Sequence, residues 1–227
     1  MEQENLTLFS IIFSLSLIVL SMVGVLLFVS QLYIPAWQIL LGLSNPWYCS
    51  IVILFLCPLI GMLKIPLAFR FQEHNGTANM LGVLAPSFAL IYSYPDVSIN
   101  WSFVHFIPAL LSIALFWVSS HPSPNGGTLY RISLFVGSVS TIIFLNSILG
   151  RDIRSFLWLA FASQFIPLLI VDFLRTSQSA QYLSEGDEFV LGGANAHTHL
   201  WVGPSSTIML AYCAHLLFWE FENPLFG

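Results

Sequence analysis

Charged side chains are scarce in this chain of 227 residues. They make up 7% of it, and Lys64 is the only lysine, beside five arginines. A soluble domain carries about a quarter charged residues, because these groups build a hydrated surface. With 57% hydrophobic residues, the sequence predicts a protein whose surroundings are lipid. The basic residues are too few to form a patch, which excludes nucleic acid as a partner.

Cysteine pairs and the common catalytic motifs are also missing. The three cysteines form no C-x-x-C pair, so a disulfide or metal framework is not indicated, and small buried apolar side chains are the better interpretation. The chain contains no P-loop, H-E-x-x-H, G-x-S-x-G or haem-attachment motif. The reaction, if there is one, therefore has to be sought in isolated polar residues.

Long apolar runs are abundant. A membrane-spanning helix needs about 20 mostly apolar residues, and the runs predict an all-α fold, a polytopic transmembrane helix bundle of about seven kinked spans. Residues 1–227 form a single integral membrane domain in this interpretation. The predicted spans cover residues 8–31, 47–69, 78–95, 101–119, 129–149, 154–174 and 203–221. Prolines inside or near several of them remove helical hydrogen bonds and produce the kinks, or mark broken helices around a central site.

The distribution of lysine and arginine predicts the orientation. With seven spans and a cytoplasmic N-terminus, Lys64 and three arginines fall on the inner side, against Arg151 and Arg154 outside. Loops on the cytoplasmic side carry the excess of basic residues. The prediction is a multi-pass integral membrane protein with its N-terminus in the cytoplasm.

The segment Leu191–Trp201 concentrates polar groups just before the last span. It contains two glycines, an asparagine and the pair His197 and His199. Residues two apart in an extended chain point the same way, so both imidazoles could bind one divalent transition metal ion. A third ligand would come from elsewhere in the chain, the candidates being His74, His105, Asp172, Glu185, Asp187 and Glu188. The alternative is that the histidines cap a helix or donate hydrogen bonds at the headgroup level.

Asp172 is the second candidate site residue. It lies near the end of an apolar span, three residues before Arg175. A carboxylate inside a span is costly and usually has a function. Asp172 either pairs with Arg175 at the membrane edge or faces the bundle interior as a proton carrier, a ligand or a general acid or base.

Five short patches together resemble an uncharacterised prokaryotic membrane family, domain of unknown function family 1614. The patches follow one order along the chain, although Lys64 stands where that family usually has asparagine. They are Leu59–Leu67, Asn79 with Pro86, Ile107–Leu110, Leu169–Leu174 and Gly192–Ala194. The resemblance places Asp172 near the acidic residue of the family.

The family pattern of two acidic residues is in turn similar to that of intramembrane aspartyl proteases. In such a dyad two close carboxylates share one proton, so that one acts as base and the other as acid. Here Thr198 occupies the second position, and Asp187 could replace the missing acid only if its loop folded back into the bundle. The resemblance therefore implies a degenerate or metal-using site at least as readily as an active dyad.

Three functions follow as hypotheses. The first is a non-catalytic subunit or scaffold that packs in a larger membrane complex, with the lipid bilayer, other membrane subunits or a pigment as neighbours. The second is a membrane-embedded hydrolase or aspartyl-protease-like protein with its site at Asp172, His197 and His199. The third is a transporter or ion-translocating protein in which Asp172 forms a midplane site. Low charge and 20 phenylalanines favour the first.

Overall fold

The computed structural model describes a large part of the chain from residue 29 onward. The described residues are 21, 24, 29–52, 57–60, 63–71, 74–97, 99–123, 127–131, 141–143, 145–146, 152–184, 187–192 and 199–222. This part is mostly helical and also contains five short strands.

Seven α-helices are described. They are α1 (Ile34–Leu41), α2 (Pro46–Ser50), α3 (Cys57–Ile60), α4 (Ala85–Ser93), α5 (Ile107–Ser119), α6 (Ile153–Ser179) and α7 (His199–Glu222). Irregular turns extend several of them: π-helical Val29–Tyr33 and Met80–Leu84 precede α1 and α4, and a 3-10 turn, Phe103–Phe106, precedes α5. The chain leaves α4 through a second 3-10 turn, Tyr94–Asp96, and leaves α6 through a third, Ala180–Tyr182.

The longest helix, α6, begins at a well-formed cap. Asp152 precedes it in extended conformation, and its Oδ1 accepts the Ser155 N–H at 2.9 Å while Oδ2 accepts the Ser155 hydroxyl at 2.6 Å. Such a cap satisfies one of the main-chain donors that a helix start leaves free. The helix then continues through Pro167 to Ser179.

Two small sheets complete the fold. In the first, β1 (Lys64–Phe71) pairs antiparallel with β2 (His74–Asn79), and β2 pairs parallel with β5 (Phe189–Leu191). The register of β1 shifts between Pro66 and Arg70, as expected where proline has no N–H to donate. The second sheet is a hairpin of β3 (Ser120–Ser123) and β4 (Gly127–Tyr130).

The core is organised around α6 in two clusters. One contains the first half of α6, from Phe156 to Ala162, together with Trp37, Ile208 and Ala211 among others. The other contains the next part of α6, Leu168 and Val171, together with Phe116, Ile142 and Leu200. Both long helices, α6 and α7, contribute residues to each cluster.

The prediction of an all-α fold is confirmed in part: the described residues are mostly helical, but they also contain five short strands. The predicted span 47–69 contains the short helices α2 and α3 and then enters β1. A short apolar run is compatible with either a helix or a buried strand, and its periodicity does not separate them. The polar segment of β2 supplies the partner that makes the strand stable, since the two strands satisfy each other's main-chain groups.

The prediction of seven spans is not supported. In the described residues two helical stretches are long and apolar enough to cross a membrane, Ile153–Tyr182 and Leu200–Leu217. They correspond to the predicted spans 154–174 and 203–221. Within the most apolar window of the first, 72% of the residues are buried inside the protein, so α6 is surrounded mainly by the rest of the chain.

The other predicted spans differ in length or lie elsewhere. The regions 78–95 and 101–119 contain the apolar helical stretches Met80–Ser93 and Phe103–Ser119, which fall short of 18 residues. The predicted spans 8–31 and 129–149 lie mostly outside the described residues.

Candidate functional site

The carboxylate of Asp172 lies deep inside the protein, on α6. The residue is 1% exposed, and its Oδ2 accepts a hydrogen bond from the main-chain N–H of Gly192 at 2.8 Å. These two residues are 20 apart in the sequence. The bond joins the central helix to the turn that follows β5, at the beginning of the segment that the sequence singles out.

Gly192 has a conformation and surroundings that favour glycine. Its φ of +86° lies in the region that residues with a side chain rarely adopt. A Cβ at this position would stand 3.2 Å from Val83 Cγ2, 3.4 Å from Gly82 Cα and 3.5 Å from Asn79 Cβ. The glycine therefore lets the main chain approach both Asp172 and the turn at residues 79–83.

Asn79 holds that turn. It is fully buried at the end of β2, and its Oδ1 accepts the Gly82 N–H at 2.9 Å, which caps the π-helical turn Met80–Leu84. Asn79, Asp172 and Gly192 thus meet at one place. The sequence could not show this meeting, because the three residues come from distant parts of the chain.

The hairpin β3–β4 covers the site from another side. The Thr128 hydroxyl donates to the main-chain oxygen of Asp172 at 3.4 Å and lies 3.5 Å from the Thr176 hydroxyl. Tyr130, in the same strand, packs against the cluster around Leu168 and Val171. Burial raises the pKa of Tyr130 well above its ordinary value of 10.0, and the negative charge of Asp172 raises it further, while Arg175 opposes them. The tyrosine is consequently a neutral phenol.

The guanidinium of Arg175 is held by the end of α5 and the start of β3. It lies over the ring of Trp117, 3.7 Å from the ring centroid, and donates to the main-chain oxygen of Trp117 at 2.8 Å. It also donates to Ser120 Oγ at 3.2 Å and to Gln178 Oε1 at 2.9 Å. This set of contacts fastens α5 and β3 to α6 beside Asp172.

The two histidines of the predicted metal site lie at or beyond the limit of the description. His197 is outside the described residues, and His199 begins α7 without a described side chain. Within the described part of the chain, no three His, Cys, Asp or Glu residues are grouped closely enough to hold a metal ion. The metal site therefore stays a prediction.

Three of the predicted additional ligands have other contacts. His105 belongs to the capping box that begins the turn before α5, where its Nδ1 lies 3.0 Å from Ser102 Oγ. His74 places its Nδ1 3.2 Å from the main-chain oxygen of Asp187. Asp187 is itself exposed, and its Oδ2 accepts the Ser184 N–H at 3.1 Å. The acid that could have replaced the missing member of a dyad thus lies in an exposed turn, whereas Asp172 is buried.

Thr128 and Tyr130 are site residues that the sequence did not indicate. Both lie in the short strand β4, which overlaps the start of the predicted span 129–149, and no local motif distinguishes them. Chemically, the buried carboxylate of Asp172 can hold the main chain at Gly192 in place. A substrate would reach this carboxylate only after some of the residues packed around it had moved.

Comparisons of the chain with protein-family models, with curated proteins and with solved structures found no match.

Proposed function

We propose that this chain is an integral membrane protein that acts as a non-catalytic scaffold subunit, with Asp172 as a structural carboxylate. The hydrogen bond from Gly192 to a carboxylate that is 1% exposed carries this proposal. A catalytic acid or base has to touch its substrate or a water molecule. Asp172 instead ties the turn after β5 to the central helix.

The surroundings of Asp172 support a structural role. Gly192 packs against the turn that Asn79 caps, and Thr128 bonds to the main chain of Asp172 itself. A buried polar group that is hydrogen-bonded in this way stabilises one arrangement of the chain, because breaking the bond leaves the group without water. The exposed position of Asp187 removes the most obvious second acid.

The outer surface supports a membrane location and partner helices. Phe88 and Ile91 of α4 are 69% and 71% exposed, and Val118 of α5 is 70% exposed. Apolar surface of this kind is stable when lipid tails or the helices of another subunit cover it. A scaffold subunit requires only exposed apolar surfaces that bind its partners and an interior that holds these surfaces in position.

Site-specific cross-linking tests the proposal. A photoreactive phenylalanine analogue would replace Phe88 in one variant and Val118 in another, each in native membranes, with a buried position, Phe161, as the control. We expect at least one exposed position to yield a discrete cross-linked protein and Phe161 to yield none. Lipid adducts alone at both exposed positions would contradict the scaffold role.

A membrane-embedded hydrolase is the second candidate, and one observation favours it. Asp172 binds Gly192, and His197 follows only five residues later, a stretch of at most about 18 Å when fully extended. Metal analysis of the purified protein and of the variant His197→Ala/His199→Ala tests this function. Stoichiometric transition metal in the wild type, lost in the variant, would favour the hydrolase over the scaffold.

A further inference from the structure

Helices α5 and α6 run side by side in the same direction. Near their first residues, the ring centroid of Trp101, just before α5, lies 6.0 Å from that of Trp158 in α6. Near their last residues, the guanidinium of Arg175 in α6 lies 3.7 Å from the ring centroid of Trp117 in α5. Between these two contacts the chain advances 16 residues along α5 and 17 residues along α6.

The two contacts define two levels of the molecule, which we call the Trp158 level and the Arg175 level. A helix rises about 1.5 Å per residue, so 17 residues of α6 separate the levels by about 25 Å. The hydrocarbon core of a bilayer is about 30 Å thick, and a bilayer thins locally around a shorter apolar surface. The spacing of the two levels therefore fits the two edges of one hydrocarbon core.

The Trp158 level carries exposed aromatic side chains. Trp158 itself is buried and donates its indole N–H to the Leu90 carbonyl at 3.1 Å. The rings of Tyr94 and Trp101 pack against it and are each about half exposed, and nearby Phe103 is 75% exposed. Tyrosine and tryptophan gather at membrane–water interfaces, because each combines an apolar ring with a polar atom.

The Arg175 level joins a basic side chain to aromatic rings. Arg175 stacks on Trp117 and donates to Gln178 Oε1 at 2.9 Å, one turn further along α6. Tyr182, in the 3-10 turn that ends the helix, is exposed. A long basic side chain near the end of a membrane helix keeps its apolar part in the hydrocarbon and extends its charge to the headgroups. This level thus has the composition expected of a second interface.

Exposed charge is absent from α5 and α6 between the two levels. Helix α5 contains no charged residue, and its outward side chains, such as Leu110, are apolar. Helix α6 contains one charged residue between Trp158 and Arg175, which is Asp172, and its side chain is buried. Because charge in contact with hydrocarbon is costly, this distribution of charge is complementary to a bilayer.

We propose that the two levels mark the two lipid–water interfaces, where their aromatic side chains bind the headgroup region of a bilayer. This inference rests on the membrane location in the proposed function and adds the depth at which the molecule sits. Asp172 is then about 4.5 Å from the Arg175 level along α6, and not at the bilayer midplane. A carboxylate at that depth suits a structural bond near the interface better than the midplane site of a transporter.

Fluorine nuclear magnetic resonance of the full-length protein in phosphatidylcholine nanodiscs tests the proposal. A trifluoromethyl-phenylalanine replaces one exposed residue at a time: Phe103 at the Trp158 level, Val118 at the Arg175 level, or Leu110 about midway between them. Dissolved oxygen concentrates in hydrocarbon and a nickel chelate stays in water, so the ratio of their relaxation effects measures depth. We expect this ratio to be several-fold greater at Leu110 than at Phe103 and at Val118.

The same label at Phe161, which is fully buried, is the matched control and should respond little to either reagent. A ratio that changes steadily from Phe103 through Leu110 to Val118 would overturn the proposal and leave the membrane location intact. Little response to either reagent at both Phe103 and Val118 would also overturn it, since another protein would then cover the two levels.

Extraction of native membranes with alkaline carbonate separates failure of this inference from failure of the proposed function. Release of the protein, together with a strong nickel effect at Phe103, Leu110 and Val118, would contradict the membrane location and overturn both proposals. Retention in the membrane without a maximum of the ratio at Leu110 would overturn the two interface levels alone.

Discussion

The Asp172 carboxylate and the Gly192 amide, 20 residues apart in sequence, form a 2.8 Å hydrogen bond in the interior of the protein. This bond holds the chain just after β5 against the central helix α6. The bond requires a side chain on α6 that is long enough to accept it, and a residue without a side chain in the turn after β5. Substitutions at Asp172 and at Gly192 test these two requirements separately.

Replacing Gly192 by alanine should destabilise the protein without changing any polar group. The φ of +86° is unfavourable for alanine, and the new Cβ would press on Val83 at 3.2 Å. We expect a loss of about 1–2 kcal/mol in the free energy of unfolding. Thermal unfolding in detergent measures it, with Gly24→Ala as the control, because a Cβ at Gly24 would meet no other atom within 4 Å. An alanine variant as stable as the wild type would mean that the turn is not fixed in this conformation.

Arg175 should not be replaceable by lysine. Its planar guanidinium lies over Trp117 and also donates to Ser120 and Gln178, and an ammonium group cannot reproduce this set. Arg175→Lys should lose about 1 kcal/mol of stability, whereas Arg131→Lys, at an exposed position, should lose almost none. Equal melting temperatures for both variants would show that the stacking contributes nothing.

Stability at high pH should depend on Tyr130. Its pKa is raised in the folded protein above the ordinary 10.0, so the folded state keeps the proton when the unfolded state has lost it. The stabilising contribution is full below pH 10 and decreases as the pH rises above 10, by about 1.4 kcal/mol per pH unit.

Melting temperatures of wild type and Tyr130→Phe between pH 8 and 12 test this dependence. The wild type should lose stability faster than the variant above pH 10, and the two should run parallel below it. Tyr182→Phe, at a residue 58% exposed, is the control and should follow the wild type throughout. Parallel curves for Tyr130→Phe and the wild type above pH 10 would mean that Tyr130 ionises normally.

The sequence was sufficient to find the parts of the fold that depend on local pattern. The apolar runs predicted the two long helices, and the scarcity of polar groups singled out Asp172 and the segment Leu191–Trp201. The strands could not be found in this way. β1 is an apolar run like many others here, and its identity depends on pairing with β2, while β2 depends in turn on β5 from more than 100 residues later.

The site was predictable in part for a similar reason. The cost of a buried carboxylate makes Asp172 conspicuous from sequence alone. Its partner, however, is a main-chain N–H. Every residue except proline has such a group, so the sequence does not show which one binds Asp172. Two hairpins bring the remaining site residues into place: β1–β2 contains Asn79, and β3–β4 contains Thr128 and Tyr130. No local sequence motif predicts these hairpins.

The comparison of Asp172→Asn with Asp172→Ala tests the structural role of this carboxylate most directly. Asparagine retains a side-chain oxygen that accepts the Gly192 N–H, so its melting temperature should stay close to that of the wild type. Alanine leaves that N–H buried without an acceptor, at a cost of about 1–3 kcal/mol, and should melt several degrees lower. An alanine variant as stable as the wild type, or more stable, would contradict the account, since a residue retained for chemistry rather than for structure commonly reduces stability.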